Sequence, residues 1–247
     1  MAIFRDIKFN TGTCNDRLGA VGTVTGSTFS QKEKGLAIET GASKYIQYDK
    51  QLLPNGAFSV VVWAKIKNSN VQGTDLPIAL SDGINSITNV GIALNYIFGS
   101  TEPRFFLGSS NFVRFNSLTP DKNWHCWIFT CIGNGQNDVL SSKLYYDGIA
   151  QNIGGSSVAS VQSARTSCVY VGGSNNVTGG NHLSRLKVYD HVLSLQEINA
   201  EQVEFNNAQP INKPKKGFVL NKPTDLSEYK GSGAGQGLIA AYNFIKV

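Results

Sequence analysis

Long apolar stretches and dense charge are both missing from this sequence. No run of about 18 apolar residues occurs, so no membrane-spanning helix is expected. Charged residues are only 16% of the 247-residue chain, which excludes a coiled coil or an acidic disordered protein. The 26 glycines show no Gly-X-Y period and prolines number only 7, so a collagen-like chain is excluded as well.

Cysteine is also scarce, and the cysteines present form no metal or disulfide pattern. The four are Cys14, Cys126, Cys131 and Cys168. They show no Cys-x-x-Cys pair and no histidine at zinc spacing. Cys126 and Cys131 lie in one strand-like run, where their odd spacing places them on opposite faces. We therefore expect buried, reduced thiols, as in a protein folded in the cytosol.

Basic residues slightly outnumber acidic ones, 22 to 17, but they are scattered. The one dense cluster is Lys213, Lys215 and Lys216, which lies beside prolines and is typical of a solvated linker. Nucleic-acid binders usually carry a stripe of Lys and Arg along one element, so no nucleic-acid partner is expected. Charged residues interrupt the first eight positions, so no secretory signal is expected either.

Alternation of apolar and polar residues is the dominant pattern. In the run 58–67, Phe58, Val60 and Val62 share one face with Ala64 and Ile66, which predicts a strand packed on one side of a sheet. Further strands are predicted at 36–39, 45–48, 90–96, 104–108, 124–132, 144–146, 169–172 and 186–189. Many strands and little helix predict an all-β sandwich.

One short helix is predicted near 194–205, where Ser194 and Glu197 have the spacing of a capping box. We place the sandwich domain at 1–205 and a linker with a C-terminal strand at 206–247. In this tail the glycine-rich spacer 231–237 precedes an apolar strand at 238–244.

The C-terminal strand is expected either to close the sandwich or to act as an assembly arm. Its candidate assembly residues are Leu238, Ile239, Tyr242 and Phe244. It would pair beside residues 3–9 of its own chain or complete the sheet of a neighbouring copy. Pairing within the chain is slightly favoured, since a tethered strand has a high effective concentration at its own sheet.

The residues required for hydrolysis are not found in a recognisable arrangement. There is no Gly-x-Ser-x-Gly elbow, and His125 lies inside a strand-like run, where a packed histidine is the simpler interpretation. Glycosidases need two nearby carboxylates, whereas Glu39 and Glu102 are isolated and are interpreted as turn or edge charges. We expect no catalytic residues and no enzyme.

Loop aromatics and amides are the candidate ligand-binding residues, because aromatic faces and amide groups together suit a sugar ring. The glycan-binding candidates are Tyr96, Asn111, Phe112, Asn134, Asn137, Asn175, Asn176 and His182, with Phe98 as a further aromatic. The alternative is that they are ordinary turn formers and rim aromatics.

Four segments in order resemble the laminin-G-like branch of the concanavalin A-like lectin and glucanase jelly rolls. They are residues 34–48, 58–65, 123–148 and 169–198. The resemblance implies a jelly-roll sandwich of two antiparallel sheets. Members of this branch usually have acidic residues where this chain has Ser184 and Arg185, so a family calcium site is not carried over and no metal or cofactor is expected.

The fold does not determine a function by itself, because it hosts lectins, glycosidases, adhesion modules and virion proteins. Our first hypothesis is a non-enzymatic structural or binding protein of a virus particle, a bacteriophage capsid decoration or tail-fibre component made in the host cytoplasm. Its partners would be other virion proteins, copies of itself and host-surface glycans. The alternatives are a free extracellular lectin and a glycosidase with an unrecognised acid pair.

Overall fold

The computed structural model describes residues 2–9, 14–66, 78–84, 87–97, 101–108, 111–118, 121–133, 138–158, 165–173, 181–208, 218–221 and 243–246. The chain divides into two compact units, Met1–Pro210 and Ile211–Val247. The division lies close to the predicted boundary between residues 205 and 206. No helix in the described ranges has the length and apolar character needed to cross a membrane.

Strands dominate the described residues. In chain order they are β1 (Ile3–Lys8), β2 (Gly22–Thr25), β3 (Phe29–Lys32), β4 (Gly35–Thr40), β5 (Tyr45–Tyr48), β6 (Phe58–Lys65), β7 (Ile78–Ser81), β8 (Val90–Ile97), β9 (Thr101–Gly108), β10 (Asn111–Phe115), β11 (Trp124–Cys131), β12 (Lys143–Tyr146), β13 (Ile149–Gln151), β14 (Ile153–Ser157), β15 (Tyr170–Gly172), β16 (Asn181–Tyr189), β17 (Phe218–Asn221) and β18 (Asn243–Lys246). The α-helix is α1 (Leu195–Asn207), and two 3-10 turns span Asp138–Ser141 and Arg165–Ser167.

The first unit contains two eight-stranded antiparallel sheets. Sheet A has the order β13-β12-β11-β6-β16-β4-β3, and β1 also pairs with β16. Sheet B has the order β14-β10-β9-β8-β7-β15-β5-β2. Strand β16 pairs with β4 through its first residues and with β1 through its last, so one long strand holds two partners on the same side. The predicted two-sheet sandwich is confirmed.

The main core lies between the two sheets. Inward residues of β6, among them Val60 and Val62, pack with Phe105 and Val113 from sheet B. The predicted alternation along β6 is confirmed. The prediction that β6 packs on one face only is wrong, since both of its faces are buried. Val61, on the opposite face, is also fully buried, because helix α1 covers the outer face of sheet A.

Helix α1 begins as its capping box predicts. The Glu197 amide donates to Ser194 Oγ at 3.3 Å, and the Ser194 amide donates to Glu197 Oε2 at 2.7 Å. At the other end, Lys34 Nζ donates to the carbonyl of Phe205 at 2.8 Å and lies 4.4 Å from the centre of that ring. A cation at a helix C-terminus complements the helix dipole, so the β3–β4 turn stabilises the end of α1.

Charged residues are buried beneath α1, on the outer face of sheet A. Lys187 Nζ lies 2.9 Å from both carboxylate oxygens of Glu201 and 2.5 Å from Glu204 Oε2, and Tyr189 donates its hydroxyl hydrogen to Glu201. Arg185 pairs with Asp6 of β1 at 2.7 Å. These pairs connect the helix, β16 and β1 into one network.

The second unit contains a two-stranded antiparallel sheet of β17 and β18. The predicted C-terminal strand at 238–244 is therefore seen only at its end, in Asn243 and Phe244, and the strand continues to Lys246. Its described partner is β17, whereas the expected partner β1 pairs with β16. Leu238, Ile239 and Tyr242 lie outside the described residues.

Candidate functional site

The outer face of sheet B presents aromatic and charged side chains on neighbouring strands. Phe105 and Leu107 of β9 and Val113 and Phe115 of β10 point into the core. Because strand side chains alternate, the residues at the alternate positions of β9 and β10 point outward. We call these outward residues, Glu102, Arg104, Phe106, Phe112 and Arg114, the β9–β10 patch. No α-helix in the described residues packs over this face, in contrast to sheet A.

Strand register brings the patch residues together in like pairs. Phe106 lies opposite Phe112, and Arg104 lies opposite Arg114. The two phenyl rings are 5.7 Å apart between centroids with planes inclined at 42°. Opposed aromatic side chains on one sheet face stabilise the strand pair. The patch therefore has an aromatic row beside a row of guanidinium groups.

One carboxylate serves both arginines. Arg104 Nη2 is 3.3 Å from Glu102 Oε2, and Arg114 Nη1 is 3.5 Å from the same oxygen. The Arg104 and Glu102 side chains are each 14% exposed, whereas Arg114 is 42% exposed. The Arg104 guanidinium also lies 5.5 Å from the centre of the Phe112 ring. Arg104 and Glu102 thus form an internal support, and Arg114 is the charge that solvent reaches.

Glycines shape this surface at two positions. A Cβ on Gly155 of β14 would collide with the Arg114 guanidinium, so only glycine lets that side chain lie across the edge strand. A Cβ on Gly91 of β8 would lie 2.5 Å from the Leu80 carbonyl oxygen and 2.9 Å from Ile87. Ile87 and Phe106 both pack against the buried pair Ile78 and Ala93, on the β8 side of the patch.

A second aromatic pair lies further along the same face. Register places Phe106 opposite Gly91, Gly91 opposite Ser81, and Ser81 opposite Tyr170. Tyr170 meets the Tyr45 ring edge-on at 5.7 Å. The cross-strand row thus has phenyl groups at one end and tyrosines at the other.

The structure separates the predicted glycan-binding residues. Phe112 lies in the β9–β10 patch, half-buried. Asn111 is fully buried at the start of β10. His182 lies in sheet A, on β16, opposite Lys65 of β6 and Glu39 of β4. Tyr96 lies on β8, opposite Glu102 of β9, and the structure describes only the backbone of Tyr96. The remaining candidates, Asn134, Asn137, Asn175, Asn176 and Phe98, lie outside the described residues.

Sequence reasoning missed the charged half of the patch. Glu102 was expected to be a turn or edge charge, but it lies within β9, bound by two arginines. The signal was the alternation in Glu102-Pro-Arg104-Phe-Phe106, matched by Phe112-Val-Arg114. This alternation identifies a shared surface only when the β9–β10 register is known, and β10 was not predicted as a strand.

A separate cleft of about 410 Å³ lies beside the start of α1, lined by Tyr189, Leu193, Ser194, Gln196, Glu197, Ala200 and Glu201. Its two carboxylates are already engaged. Glu197 caps the helix and lies 3.2 Å from His191 Nε2, while Glu201 binds Lys187. Hydrogen bonds from the Ser194 backbone and side chain, followed by the His191 contact, hold the pKa of Glu197 below its usual value. A general acid needs a raised pKa, so Glu197 does not suit that role.

His125 is held between two aspartates at the end of sheet A. Its Nδ1 lies 2.5 Å from Asp147 Oδ2 and its Nε2 lies 2.8 Å from Asp121 Oδ1, while the ring stacks on Tyr146 at 4.5 Å. Asp147 Oδ1 also accepts the Cys126 amide at 2.9 Å. Both ring nitrogens are thus occupied, and His125 joins the loop before β11 to the β12–β13 turn.

The described residues contain no group of three or more His, Cys, Asp or Glu side chains placed to hold a metal ion. At the positions where the resemblance implies acids, Ser184 and Arg185 are both buried. The Arg185 guanidinium, paired with Asp6, places a positive charge there and would repel a cation.

Two eight-stranded antiparallel sheets, with no described α-helix over the outer face of sheet B, form a lectin-like sandwich fold. Residues 40–199 match the family described as the concanavalin A-like lectin/glucanases superfamily, Laminin_G_3. Since this match covers well over half of the 247 residues, the chain belongs to that family.

Solved structures show the same fold at low sequence identity. Domain 4 of AbnA, a GH43 extracellular arabinanase from Geobacillus stearothermophilus solved with arabinotriose, is similar with a TM-score of 0.59 and 16% identity, covering 80% of this chain and 97% of that one. Botulinum neurotoxin type C, described as entering cells through two ganglioside molecules, is similar with a TM-score of 0.60 and 10% identity, covering 82% and 51%. The binding domain of Paraclostridial Mosquitocidal Protein 1 gives 0.58 and 12%, covering 83% and 52%.

The chain spans about half the length of these toxin chains and nearly all of the arabinanase domain. At such identities the likeness shows the fold alone. Among curated protein sequences, none matches this chain.

Proposed function

We propose that this chain is a non-enzymatic glycan-binding module and that its ligand lies on the outer face of sheet B. The observation that carries the proposal is the β9–β10 patch. It combines paired phenyl rings, a solvent-reaching arginine and a supported carboxylate on a sheet face with no described helix over it. The sheet A face, by comparison, is covered by α1.

The chemistry of the patch suits a sugar. Sites for small ligands combine apolar and aromatic walls with a few fixed polar groups. Phe106 and Phe112 offer such a wall for the apolar face of a pyranose ring. The Arg114 N–H groups donate hydrogen bonds to sugar hydroxyls, and Glu102 supports the arginines from below. Among the similar structures, the arabinanase domain was solved with a bound trisaccharide, which agrees with this use of the fold.

The non-enzymatic part of the proposal is supported by the acid groups near the patch. Strands β9, β10 and β14 together contain one carboxylate, Glu102. Glycosidases need two carboxyl groups within about 5–10 Å of each other. In the α1 cleft, Glu197 and Glu201 are held in a helix cap and an ion pair.

The location we propose is the surface of a virus particle, where the module would meet host-surface glycans and bind other virion proteins or its own copies. All four cysteines are free and buried, which agrees with folding in a reducing cytosol. Neighbouring genes for capsid and tail proteins, and the chain in purified particles, are the expected findings. A secreted chain with disulfides would contradict this location.

The binding site is tested by a glycan array with the full chain and Phe112→Ala. We expect the wild type to bind a defined group of glycans. Phe112→Ala should lose most of that binding while remaining folded, with a denaturation midpoint lowered only by the loss of the Phe106 ring contact. Phe29→Ala, an aromatic on the edge strand β3 of sheet A, is the matched control and should bind like the wild type. Equal binding by Phe112→Ala and the wild type would place the ligand elsewhere.

Enzymatic activity is tested separately, by incubating the pure protein with the glycans that it binds. We expect no reducing sugar to accumulate. Sustained release that is lost in Glu102→Gln or Glu39→Gln would show a glycosidase instead.

A further inference from the structure

The charges of the β9–β10 patch do not cancel. Two guanidinium groups, Arg104 and Arg114, share one carboxylate oxygen of Glu102. Strands β9, β10 and β14 contain no other acid and no other basic residue. The patch therefore has one positive charge in excess, beside the aromatic pair that the proposed function assigns to the sugar ring.

The excess charge belongs to Arg114, by exposure and by geometry. Arg104 is mostly buried and lies near both Glu102 and the Phe112 ring, so it is committed to the support of the patch. Arg114 is three times as exposed as Arg104, 42% against 14%. Its Nη1 lies 3.5 Å from Glu102 Oε2, which is long for a hydrogen bond. Gly155 leaves room for the Arg114 guanidinium to lie along β14.

A planar guanidinium fork matches a planar carboxylate, which it can bind through two parallel hydrogen bonds. A single such cation next to aromatic rings suits one acidic sugar in an oligosaccharide. A nucleic acid would require a longer basic stripe, which these strands do not contain. Resting on the proposed glycan-binding function, we propose that the β9–β10 patch selects glycans containing a carboxylated sugar, a uronic or sialic acid, and that Arg114 binds the sugar carboxylate.

The test compares acidic glycans with neutral partners of the same shape. The probes are trigalacturonic acid with its methyl ester, and sialyllactose with lactose, titrated calorimetrically into the full chain. We expect the wild type to bind at least one acidic form roughly 10-fold or more tightly than its neutral partner, as for a charged hydrogen-bonded pair. Added salt should weaken this preference.

Variants assign the preference to Arg114. Arg114→Gln should remove this preference, so that the acidic and neutral partners bind within about twofold of each other. Arg114→Lys, which keeps the charge but lacks the fork, should retain only part of it, and serves as the second variant if Arg114→Gln fails to fold. Arg17→Gln makes the same charge change beside β1, where Arg17 is 62% exposed, and should bind like the wild type.

The outcomes separate this inference from the function on which it rests. Equal binding of acidic and neutral partners overturns the inference and leaves the glycan-binding function standing. Binding of no glycan at all overturns both. A preference lost equally in Arg17→Gln would show a general charge effect, and sulfated lactose binding as tightly as sialyllactose would overturn the choice of carboxylate.

Discussion

At the scale of single residues, the three tryptophans are large side chains buried in the fold. Trp63, Trp124 and Trp127 are 6%, 9% and 3% exposed. Trp127 packs in the core between the sheets, while Trp63 and Trp124 pack beneath helix α1. Trp124 also donates its indole hydrogen to Glu33 Oε2 at 2.7 Å. All three tryptophans therefore have a structural role.

Trp124→Ala should lower the free energy of unfolding by roughly 3–5 kcal/mol, the usual cost of removing a buried aromatic side chain. Urea denaturation followed by circular dichroism measures it. Trp124→Phe keeps a ring and loses only the hydrogen bond to Glu33, so its loss should be clearly smaller. A wild-type midpoint in Trp124→Ala would mean that the indole does not pack against α1 in solution.

His125 makes stability depend on pH in a defined direction. Burial disfavours its charged form, but hydrogen bonds and charge attraction from Asp147 and Asp121 outweigh that effect and raise the pKa of His125. For Asp121, burial acts against ionisation, but hydrogen bonds from His125 and Asn123 lower its pKa to about 2. The imidazolium and the carboxylate therefore stabilise each other between the two titrations.

A raised native pKa means that the folded protein holds the His125 proton more tightly than the unfolded chain does. The contribution of His125 should be complete below the unfolded value of about 6.5 and be lost as the pH rises through the higher native value. Urea titrations between about pH 5.5 and 8.5 should show the wild-type advantage over His125→Gln shrinking as pH rises. A wild-type advantage that grows with pH would contradict the assignment.

At the scale of elements, helix α1 covers the outer face of sheet A. The helix lies on Val61 and Trp63 of β6, and Trp63 meets Phe205 edge-on at 5.6 Å. The same contact encloses Lys187 and Glu201, which are 4% and 7% exposed. Buried ion pairs add little net stability, but removing one partner leaves a buried charge alone.

Lys187→Met should therefore destabilise the protein by roughly 3–5 kcal/mol, because Glu201 would keep its charge without its main partner. The double variant Lys187→Met, Glu201→Leu should recover most of this loss. Thermal and urea denaturation of the two single variants and the double variant form the cycle. Losses that simply add would show that the two side chains do not act as a pair.

At the scale of the whole molecule, the two large sheets and the C-terminal strands fall into different units. Both eight-stranded sheets are built from strands within Met1–Pro210, and the described C-terminal strands pair with each other. Strand β1, beside which the last strand was expected to pair, is bound to β16 in the described residues.

We expect a chain ending at residue 210 to fold with an unchanged denaturation midpoint and to bind the same glycans. If the C-terminal unit is an assembly arm, the shortened chain will also lose any oligomer seen with the full chain by light scattering. Unfolding or aggregation of the shortened monomer would instead show that residues 211–247 close the sandwich. An unchanged oligomer would contradict the assembly role.

The sequence by itself determined the sandwich class, most long strands and the capped helix, since each depends on residues near one another in the chain. Alternation along β6 and the Ser194–Glu197 box needed no distant partner to be recognised. Short strands such as β10 and β14 carry a weak local pattern, so they were missed. Whether a face is covered, and which residues meet on it, was decided only by the tertiary structure. Helix α1 buries the outer face of sheet A, and the β9–β10 register places Arg104 opposite Arg114, because packing and pairing join residues that no local pattern connects.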